Sequence, residues 1–499
     1  MRGRLRKSLL LIGVLALMLA ATPIAGADTL DDDIEASVVA GLEWLAGQQN
    51  VDGSFYETWD VDAHTGLAIL KFEDRAVDTG YDPLDPEYEY SGVVQAGLGY
   101  LEGTAIPDAN GAYWGGGGHE VYSTGIAMMA LSASGHPELY GVMLEDALDW
   151  MVWAQADVDC GVHFGGWRYT PDGCDSDNSI SGYATLGLGF ASATPPFGFD
   201  LTVPPATLTA LDAWIGVIQD PVNGDADDGG SYYSPGGWTN ILKTGNLLYE
   251  MGLVGDTVLT PRVQDAVDYI ERHWGNPNGD PGWHDAQAMF TMMKGLESLG
   301  IEFLDLDGGG VADDAWFPIV ANELIDTQNA DGSWPWSIWG DPILSTAWSL
   351  LTLEKAVPEF DIEVPVDIHP TSCRNPFNVG QGGVTPVAIL GTGDFDVTQV
   401  DPTSVMLEGV APLRWAYDDV ATPFEPYIGK VDPFDCTTDG PDGFMDLTLK
   451  FKSQELVTAI GAVADGDVLV LTLTGNLLEE FGGTPIIGED VIVILQKKK

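Results

Sequence analysis

The chain contains the stretch Gln49-Asn50-Val51-Asp52-Gly53-Ser54-Phe55 and repeats it, slightly altered, as Gln328-Asn329-Ala330-Asp331-Gly332-Ser333-Trp334. Each copy follows an amphipathic segment and precedes a more uniformly apolar one. Degenerate copies lie between them, where Gln155 leads to Gly165-Gly166-Trp167 and Gln219 leads to Gly229-Gly230-Ser231-Tyr232. A phrase that recurs along a chain is typical of a repeat architecture. Function is therefore to be sought where the repeats converge rather than in one motif.

Apolar residues recur at helical spacing in segments that pair into six hairpins. The first, amphipathic member of each pair is expected on the outside, at residues 33–47, 88–102, 138–155, 204–219, 260–274 and 313–328. The second is richer in small and apolar residues and is expected on the inside, at residues 63–73, 121–134, 179–192, 240–253, 285–299 and 343–355. Such hairpins close into an (α/α)6 toroid over residues 28–357, which buries the faces that the alternative, an open solenoid, would have to cap.

The pattern changes after residues 358–365, which are predicted to be a linker. Short stretches of alternating hydrophobicity bounded by turns then follow, which predicts a β-sandwich accessory domain over residues 366–499. The predicted strands are Val384–Leu390, Val405–Leu407, Leu447–Phe451, Val468–Leu473 and Val491–Leu495.

The chain begins with the pattern of a secretion signal. Four basic residues precede an apolar run from Leu9 to Ala21, and Ala25-Gly26-Ala27 resembles a cleavage site. We expect residues 1–27 to be removed and the protein to be secreted or held at the cell surface, with an uncleaved anchor as the alternative. No other run is long and apolar enough to cross a bilayer.

The net charge is −56, from 20 basic and 76 acidic residues, and loss of the four basic leader residues takes it to −60. No basic patch is available to hold phosphates, which argues against nucleic acid as a partner. The charge favours solubility and cation binding, and salt would screen its self-repulsion.

Four cysteines in an exported chain predict disulfides. Cys160 and Cys174 bracket one loop, and Cys373 and Cys436 lie in the C-terminal part, so pairing within each group is expected. Metal ligation by Cys160 and Cys174 is the alternative.

The repeated phrase, Gln-x-x-Asp-Gly-Ser-Phe/Trp, resembles the terpenoid cyclase and protein prenyltransferase α/α-toroid superfamily. Gly165-Gly166-Trp167-Arg168-Tyr169, followed by Asp177-Asn178-Ser179, is similar to secreted prokaryotic proteins that carry prenyltransferase/squalene-oxidase repeats. The resemblance implies the toroid fold but fixes no activity. The C-terminal part resembles an accessory module of exported prokaryotic proteins.

Two departures separate this chain from the enzymes of that superfamily. Terpene cyclases of this type protonate an alkene with an Asp-x-Asp-Asp run, whereas this chain has only Asp60-Val61-Asp62 and Asp175-Ser176-Asp177. Protein prenyltransferases hold zinc and bind a diphosphate in a basic pocket, which the acidic composition does not supply.

The positions at the start of the inner helices hold Asp60, His119-Glu120, Ser176-Asp177, Thr239-Asn240, His284-Asp285 and Asp341. In a closed ring they share one end, the mouth. Helix capping is the plain interpretation. The functional one makes Asp177, Asp285, Glu120 and Asp62 the catalytic candidates, and makes His119 and His284 ligands of a transition metal at the mouth.

Tryptophans crowd the loops at the same end, and five of them are ligand-binding candidates: Trp114, Trp167, Trp238, Trp283 and Trp336. Their faces would stack on sugars or line an apolar cavity. Alternatively, they plug the ring and fill the seams between repeats.

Acidic loops with a glycine turn suit calcium. One candidate site uses Asp305, Asp307 and Asp313, and a second uses Asp439, Asp442 and Asp446. Asp225-Ala226-Asp227-Asp228-Gly229 is a weaker third. Solvated acidic turns are the alternative for all three.

The sequence thus predicts an exported toroid protein that binds a small apolar or glycan ligand in its central cavity. An enzyme of the same fold, either terpene-cyclase-like or glycan-cleaving, is one alternative, and the latter would need two carboxylates across the cavity. A structural cell-surface component with a filled ring is the other.

Overall fold

The computed structural model describes residues 27–496 except 57–59, 172, 259, 276–281, 359–361, 381, 394, 479–480 and 482–483. The predicted signal peptide lies outside the described residues, apart from Ala27, where the first helix begins. Within the described part of the chain, no helix has both the length and the apolarity that a bilayer crossing demands.

Each helix predicted in the N-terminal part overlaps a helix of the structure. The outer, amphipathic ones are α1 (Ala27–Ala46), α3 (Ser91–Thr104), α5 (Pro137–Ala154), α7 (Pro205–Ile218), α9 (Pro261–Trp274) and α11 (Trp316–Thr327). The inner ones are α2 (Val61–Asp78), α4 (Glu120–Ala133), α6 (Asn178–Ser192), α8 (Ile241–Leu253), α10 (Ala286–Ser298) and α12 (Pro342–Leu353). Two short hairpins, β1 (Ile106–Asp108) with β2 (Gly111–Tyr113) and β3 (Phe303–Leu304) with β4 (Asp314–Ala315), lie in the connections.

The inner helices contact one another in a cycle that returns to its start: α2 packs on α4, then α4 on α6, α6 on α8, α8 on α10, α10 on α12, and α12 on α2. Small residues permit these contacts. A Cβ at Gly187 of α6 would lie 2.8 Å from the carbonyl oxygen of Gly125 in α4, so only glycine allows this approach.

The repeated glutamine builds the seam between one hairpin and the next. In four loops its side-chain amide donates both to a carbonyl of its own loop and to a carbonyl of the following outer helix, at 2.8–3.1 Å. The bonds run from Gln49 to Gly53 and Val93, from Gln155 to Gly165 and Thr207, from Gln219 to Gly229 and Arg262, and from Gln328 to Gly332 and Ser37. Since Ser37 lies in α1, the last copy joins the sixth hairpin to the first.

The glycine of each phrase is a close-approach position in the same seam. Gly53 and Gly332 have φ of 92° and 93°. The backbone of each glycine lies against the backbone of an outer helix of another hairpin. A Cβ at Gly332 would lie 2.2 Å from the carbonyl oxygen of Ala40, and one at Gly53 would lie 2.1 Å from that of Ala96. Both the backbone angle and the contact therefore require glycine.

Side chains of α10 and α6 meet on the inside of the cycle. Gln287 of α10 donates to the hydroxyl of Tyr183 in α6 at 3.0 Å, although α6 and α10 are not neighbours, and Tyr122 packs edge-on against Tyr183. Further along, the Nζ atom of Lys294 lies 4.5 Å from the ring centre of Phe190, and burial lowers the pKa of Lys294 to about 7. Side chains of α10 therefore meet those of α6 at two levels along the helices.

The C-terminal part forms two sheets that share one cluster of buried apolar side chains. The strands are β5 (Ile362–Glu363), β6 (Val366–Ile368), β7 (Asn375–Asn378), β8 (Val384–Ile389), β9 (Val400–Leu407), β10 (Arg414–Asp418), β11 (Asp446–Lys452), β12 (Val468–Leu477) and β13 (Pro485–Leu495), and a helix, α13 (Ser453–Ile460), follows β11. One sheet has the strand order β10-β11-β8-β6, and the other has β5-β13-β12-β9, with β7 also paired to β13.

The disulfides and the predicted linker can be compared with the structure. The predicted disulfides Cys160–Cys174 and Cys373–Cys436 are both present. Part of the predicted linker is not free chain, because Ile362 and Glu363 form β5, which pairs in parallel with β13. Val364 is fully buried, so the C-terminal core begins earlier than residue 366.

Candidate functional site

The polar residues at the mouth are mostly helix caps. The carboxylates of Asp177, Asp285 and Asp341 each accept two backbone N–H bonds at the starts of α6, α10 and α12, and the side chain of Asn240 accepts one, from Lys243, at the start of α8. Oxygen acceptors at these positions satisfy N–H groups that have no partner within the helix. These four residues therefore act as helix caps.

The first hairpin differs, because Asp60 has φ of 50° and makes no side-chain cap. Its Oδ1 lies 2.7 Å from Nδ1 of His119, while its carbonyl oxygen lies 2.8 Å from Nδ1 of His64. Nε2 of His64 lies 3.2 Å from Oδ2 of Asp341. Burial would raise the pKa of Asp341, but its bonds from His64 and the helix amides lower it overall. This polar chain links the starts of α12, α2 and α4.

Of the other predicted acids, Asp177 and Asp62 are bound by the protein itself, whereas one oxygen of Glu120, Oε2, is buried without a partner among the described residues. Asp177 is fully buried and forms an ion pair with Arg168 in addition to its cap. Asp62 accepts from the Thr104 hydroxyl at 2.8 Å and from the Gly115 amide at 3.0 Å, and burial raises its pKa. Oε1 of Glu120 accepts weakly from the Gly118 amide, at 3.3 Å.

Three of the five candidate tryptophans are packing residues. The indole N–H groups of Trp114, Trp167 and Trp283 donate to the last carbonyls of their own outer helices, at 2.7–3.0 Å, and the three rings are buried. Each ring therefore packs within its own hairpin, and a role in ligand binding stays a prediction. Trp238 and Trp336 are exposed, and only Trp336 lines a pocket described below.

A pocket of about 290 Å³ lies at the mouth between the start of α10, the end of α11 and the loop before α12. Its volume is at the small end of the roughly 300–1,000 Å³ typical of ligand pockets. Its polar lining includes His284, Asp285, Ser337 and Ser349, and its apolar lining includes Met289, Leu324, Trp334, Trp336 and Ile338. The pocket thus brings together His284, Asp285 and Trp336, which the sequence singles out separately. We call it the rim pocket.

The rim pocket is held by Asp285. Its Oδ1 caps α10, and its Oδ2 accepts the backbone N–H of Ile338 at 2.8 Å, which fixes the loop before α12. His284 packs edge-on against Trp283, with its Nδ1 3.7 Å from Oε1 of Glu323 in α11. The two members of the predicted His284-Asp285 pair therefore have different partners.

Ser349 is a pocket residue that sequence reasoning misses. The residue lines the rim pocket, and its hydroxyl is buried and has no hydrogen-bond partner among the described residues. A serine within an apolar inner helix looks like a packing residue, so the sequence pattern does not indicate that Ser349 lines a pocket. A buried hydroxyl without a partner is unfavourable, and a ligand that hydrogen-bonds it would remove that cost.

His119 and His284 belong to separate parts of the mouth. Among the described residues, the groups that bring three metal-ligating side chains together are Asp74 with Asp78 and Glu354, and Asp220 with Asp225 and Asp228. Neither group contains a histidine. A transition metal held by His119 and His284 stays a prediction without a supporting geometry.

The predicted calcium loops are tied by backbone bonds. Asp305 and Asp307 accept N–H bonds from Gly309 at 2.8 and 2.7 Å, and Asp313 is exposed. In the second loop Asp442 and Asp439 are exposed. Asp446 is fully buried and accepts three backbone N–H bonds, from Gly391, Val420 and Ala421. Calcium at either loop stays a prediction.

The geometry defines a helical-repeat protein with a ligand-sized pocket at its rim, and the comparisons with known proteins concern that fold. A type II terpene cyclase from Scytonema, in complex with geranylgeranyl dihydroxybenzoate, is 14% identical over 66% of this chain and 98% of its own, with a TM-score of 0.41. The GH76A α-1,6-mannanase from Salegentibacter sp. HEL1_6 is 13% identical over 65% of this chain and 98% of its own, with a TM-score of 0.44. Neither a protein-family model nor a curated protein matches the sequence.

Proposed function

We propose that this protein is an exported α/α-toroid protein that binds a glycan in the rim pocket, without catalysis. The observation that carries the proposal is the juxtaposition in one pocket of an exposed tryptophan, Trp336, with a buried and unpaired hydroxyl, that of Ser349.

The fold part of the proposal rests on contacts within the chain. The closed cycle of inner helices, with the Gln328 bond to Ser37 as its last seam, supports an (α/α)6 toroid. The two C-terminal sheets bury one shared apolar cluster, which supports a β-sandwich. Both disulfides and the leader-like first residues support export, because such bonds persist in oxidising compartments.

The glycan assignment follows from the chemistry of the rim pocket. Trp336 lines it and is 71% exposed, and a flat aromatic face of this kind can pack against the C–H face of a sugar ring. His284, Ser337 and Ser349 supply the few directed polar groups that a hydroxylated ligand needs. The small volume favours one sugar ring of a longer glycan over a polycyclic lipid.

Binding is favoured over catalysis because the pocket carboxylate is already engaged. Both oxygens of Asp285 accept backbone N–H bonds, one set capping α10 and the other fixing the Ile338 loop. A glycosidase acid or nucleophile must reach the scissile bond opposite a second carboxylate. Asp285 instead acts as a positioning residue that shapes the rim pocket.

The test is a glycan-array screen of the secreted protein, followed by titration calorimetry and product analysis after prolonged incubation with each glycan bound. The proposal predicts that at least one glycan binds and is recovered intact. Cleaved product that disappears in Asp285→Asn would favour the enzyme alternative, and a protein that retains no glycan would contradict the proposal.

A further inference from the structure

The loop between α7 and α8 carries a cluster of carboxylates that the rim pocket does not involve. The loop closes on itself, because the Asp220 amide donates to the Gly230 carbonyl at 2.8 Å and the Gly229 amide donates to the Asp220 carbonyl at 3.0 Å. Gln219 fastens the same loop to Arg262 of α9. Its conformation therefore sets the seam between the fourth and fifth hairpins.

Three carboxylates converge in this loop. One oxygen from each of Asp220, Asp225 and Asp228 lies within 4.8 Å of the others. Calcium binds oxygens at about 2.3–2.6 Å, so two of its ligands lie at most roughly 4.6–5.2 Å apart. The spacing of the three carboxylates is thus that of ligands to one shared ion.

Asp220 gives a second, independent indication of a ligand. The residue is only 5% exposed; its Oδ1 accepts the Tyr232 hydroxyl, while its buried Oδ2 has no partner among the described residues. A buried carboxylate oxygen without a partner is costly, and two neighbouring like charges add to that cost. The nearby Arg272 does not relieve it through a direct bond, since its guanidinium donates to the backbone carbonyl of Asp228.

The four seam loops differ in length and in how they are tied. The bonded glutamine and glycine are 4 positions apart in the first and last phrases, but 10 apart in the Gln155 and Gln219 loops. The Gln155 loop is tied by the Cys160–Cys174 disulfide. The Gln219 loop contains no cysteine and carries the three carboxylates.

We propose that Asp220, Asp225 and Asp228 bind one calcium ion, which clamps the Gln219 loop and the seam between α7 and α9. The ligand set is all oxygen, which suits a hard cation. Calcium accepts irregular coordination completed by backbone carbonyls and water, whereas magnesium demands a near-ideal octahedron. The ion supplies the positive partner that Asp220 lacks. The proposal is independent of the rim pocket.

Hydrogen exchange read by mass spectrometry tests the clamp, using the full chain after chelation and after return of calcium. We expect calcium to slow exchange at the amides of residues 219–231. Asp225→Asn should weaken calcium binding to this loop about tenfold or more, because ligand charge sets calcium affinity. Asp225 is exposed and its Oδ1 accepts the Asp227 amide at 2.9 Å, a bond that asparagine can keep, so the fold should survive.

The matched control is Asp307→Asn, in a different acidic loop, which should leave calcium protection of residues 219–231 unchanged. Calcium that leaves exchange in residues 219–231 unaltered would overturn the proposal. So would protection of those residues that is as strong in Asp225→Asn as in the natural chain.

Discussion

The side-chain amide of Gln328 donates a hydrogen bond to the backbone carbonyl of Ser37, 291 positions earlier in the chain, at 2.9 Å. The same amide donates to Gly332 in its own loop at 2.9 Å, as the glutamines of the other phrases do in theirs. The glutamine of each copy of the repeated phrase thus makes the same kind of hydrogen bond to the next outer helix, and for the last copy that helix belongs to the first hairpin.

Replacing Gln328 with alanine should loosen the closure of the ring. Two partly buried carbonyls lose their donor, which should lower the free energy of unfolding by roughly 1–3 kcal/mol. Urea denaturation of the helical part measures this. Gln48→Ala is the control, because the Gln48 amide donates to Trp44, four positions before it, and makes no seam bond among the described residues. A Gln328→Ala protein no less stable than the control would show that the seam bond contributes nothing.

Gly332→Ala should be more damaging than the same change at Gly255. Both glycines have positive φ, 93° and 91°, but a Cβ at Gly332 meets the Ala40 carbonyl at 2.2 Å whereas Gly255 faces open space. Strain at positive φ costs about 1 kcal/mol in both, and the forced shift of α1 adds about 1–3 kcal/mol at Gly332 alone. Thermal unfolding compares the two, and equal losses would refute the close-approach account.

The C-terminal part should lose stability as pH rises. Burial and then repulsion from Asp490 raise the pKa of Asp367 from 3.8 to about 7, and Asp490 itself lies 3.5 Å from Lys430. A carboxyl with a raised folded pKa contributes stability that is fully present below the unfolded pKa and is lost as pH climbs through the folded one.

Between pH 4 and pH 8 the natural chain should therefore lose roughly 2–4 kcal/mol of stability that Asp367→Asn retains. Denaturation at both pH values, with unfolding of the C-terminal strands monitored by hydrogen exchange, measures the difference. The exposed Asp313→Asn is the control and should follow the natural chain. Parallel pH curves for Asp367→Asn and the natural chain would contradict the assignment.

Ser349→Ala should separate ligand binding from folding. Removing a buried hydroxyl that has no partner in the described part of the chain should leave the thermal midpoint unchanged or raise it. The same change should weaken glycan affinity about three- to tenfold, the value of one hydrogen bond. Calorimetry and thermal unfolding of one preparation give both quantities, and a loss of stability with unchanged affinity would assign Ser349 to packing.

Much of the helical part follows from the sequence because its apolar spacing is strong and its turns are marked by repeated Gly residues. Elements without such a pattern are missed. All five side chains of β10 (Arg414–Asp418) are exposed, so no alternation indicates a strand, and β6 (Val366–Ile368) is buried throughout over only three residues. The predicted linker contains β5, which is a strand because it pairs with β13 and not because its own residues show a strand pattern.

The candidate site is less predictable because it depends on which hairpins meet. His284, Asp285 and Trp336 stand out as residue types, yet nothing in their spacing shows that they share a pocket. Trp283 and Trp336 are both tryptophans, but Trp283 is buried, because its indole N–H donates to the carbonyl of Trp274 at the end of α9. The central ligand site stays a prediction, and the hydrogen bond from Gln287 to Tyr183, which joins two inner helices that do not pack as neighbours, is a contact that the sequence pattern does not indicate.

The measurement that tests the central claim most directly is the affinity of Trp336→Ala for the best glycan from the array. Trp415→Ala is the matched control, because Trp415 is also exposed, at 43%, but lies in the C-terminal sheets. Loss of one stacking face should weaken binding about tenfold or more in Trp336→Ala, with the control unchanged. Unchanged affinity in Trp336→Ala, or an equal loss in both variants, would contradict the rim pocket as the glycan site.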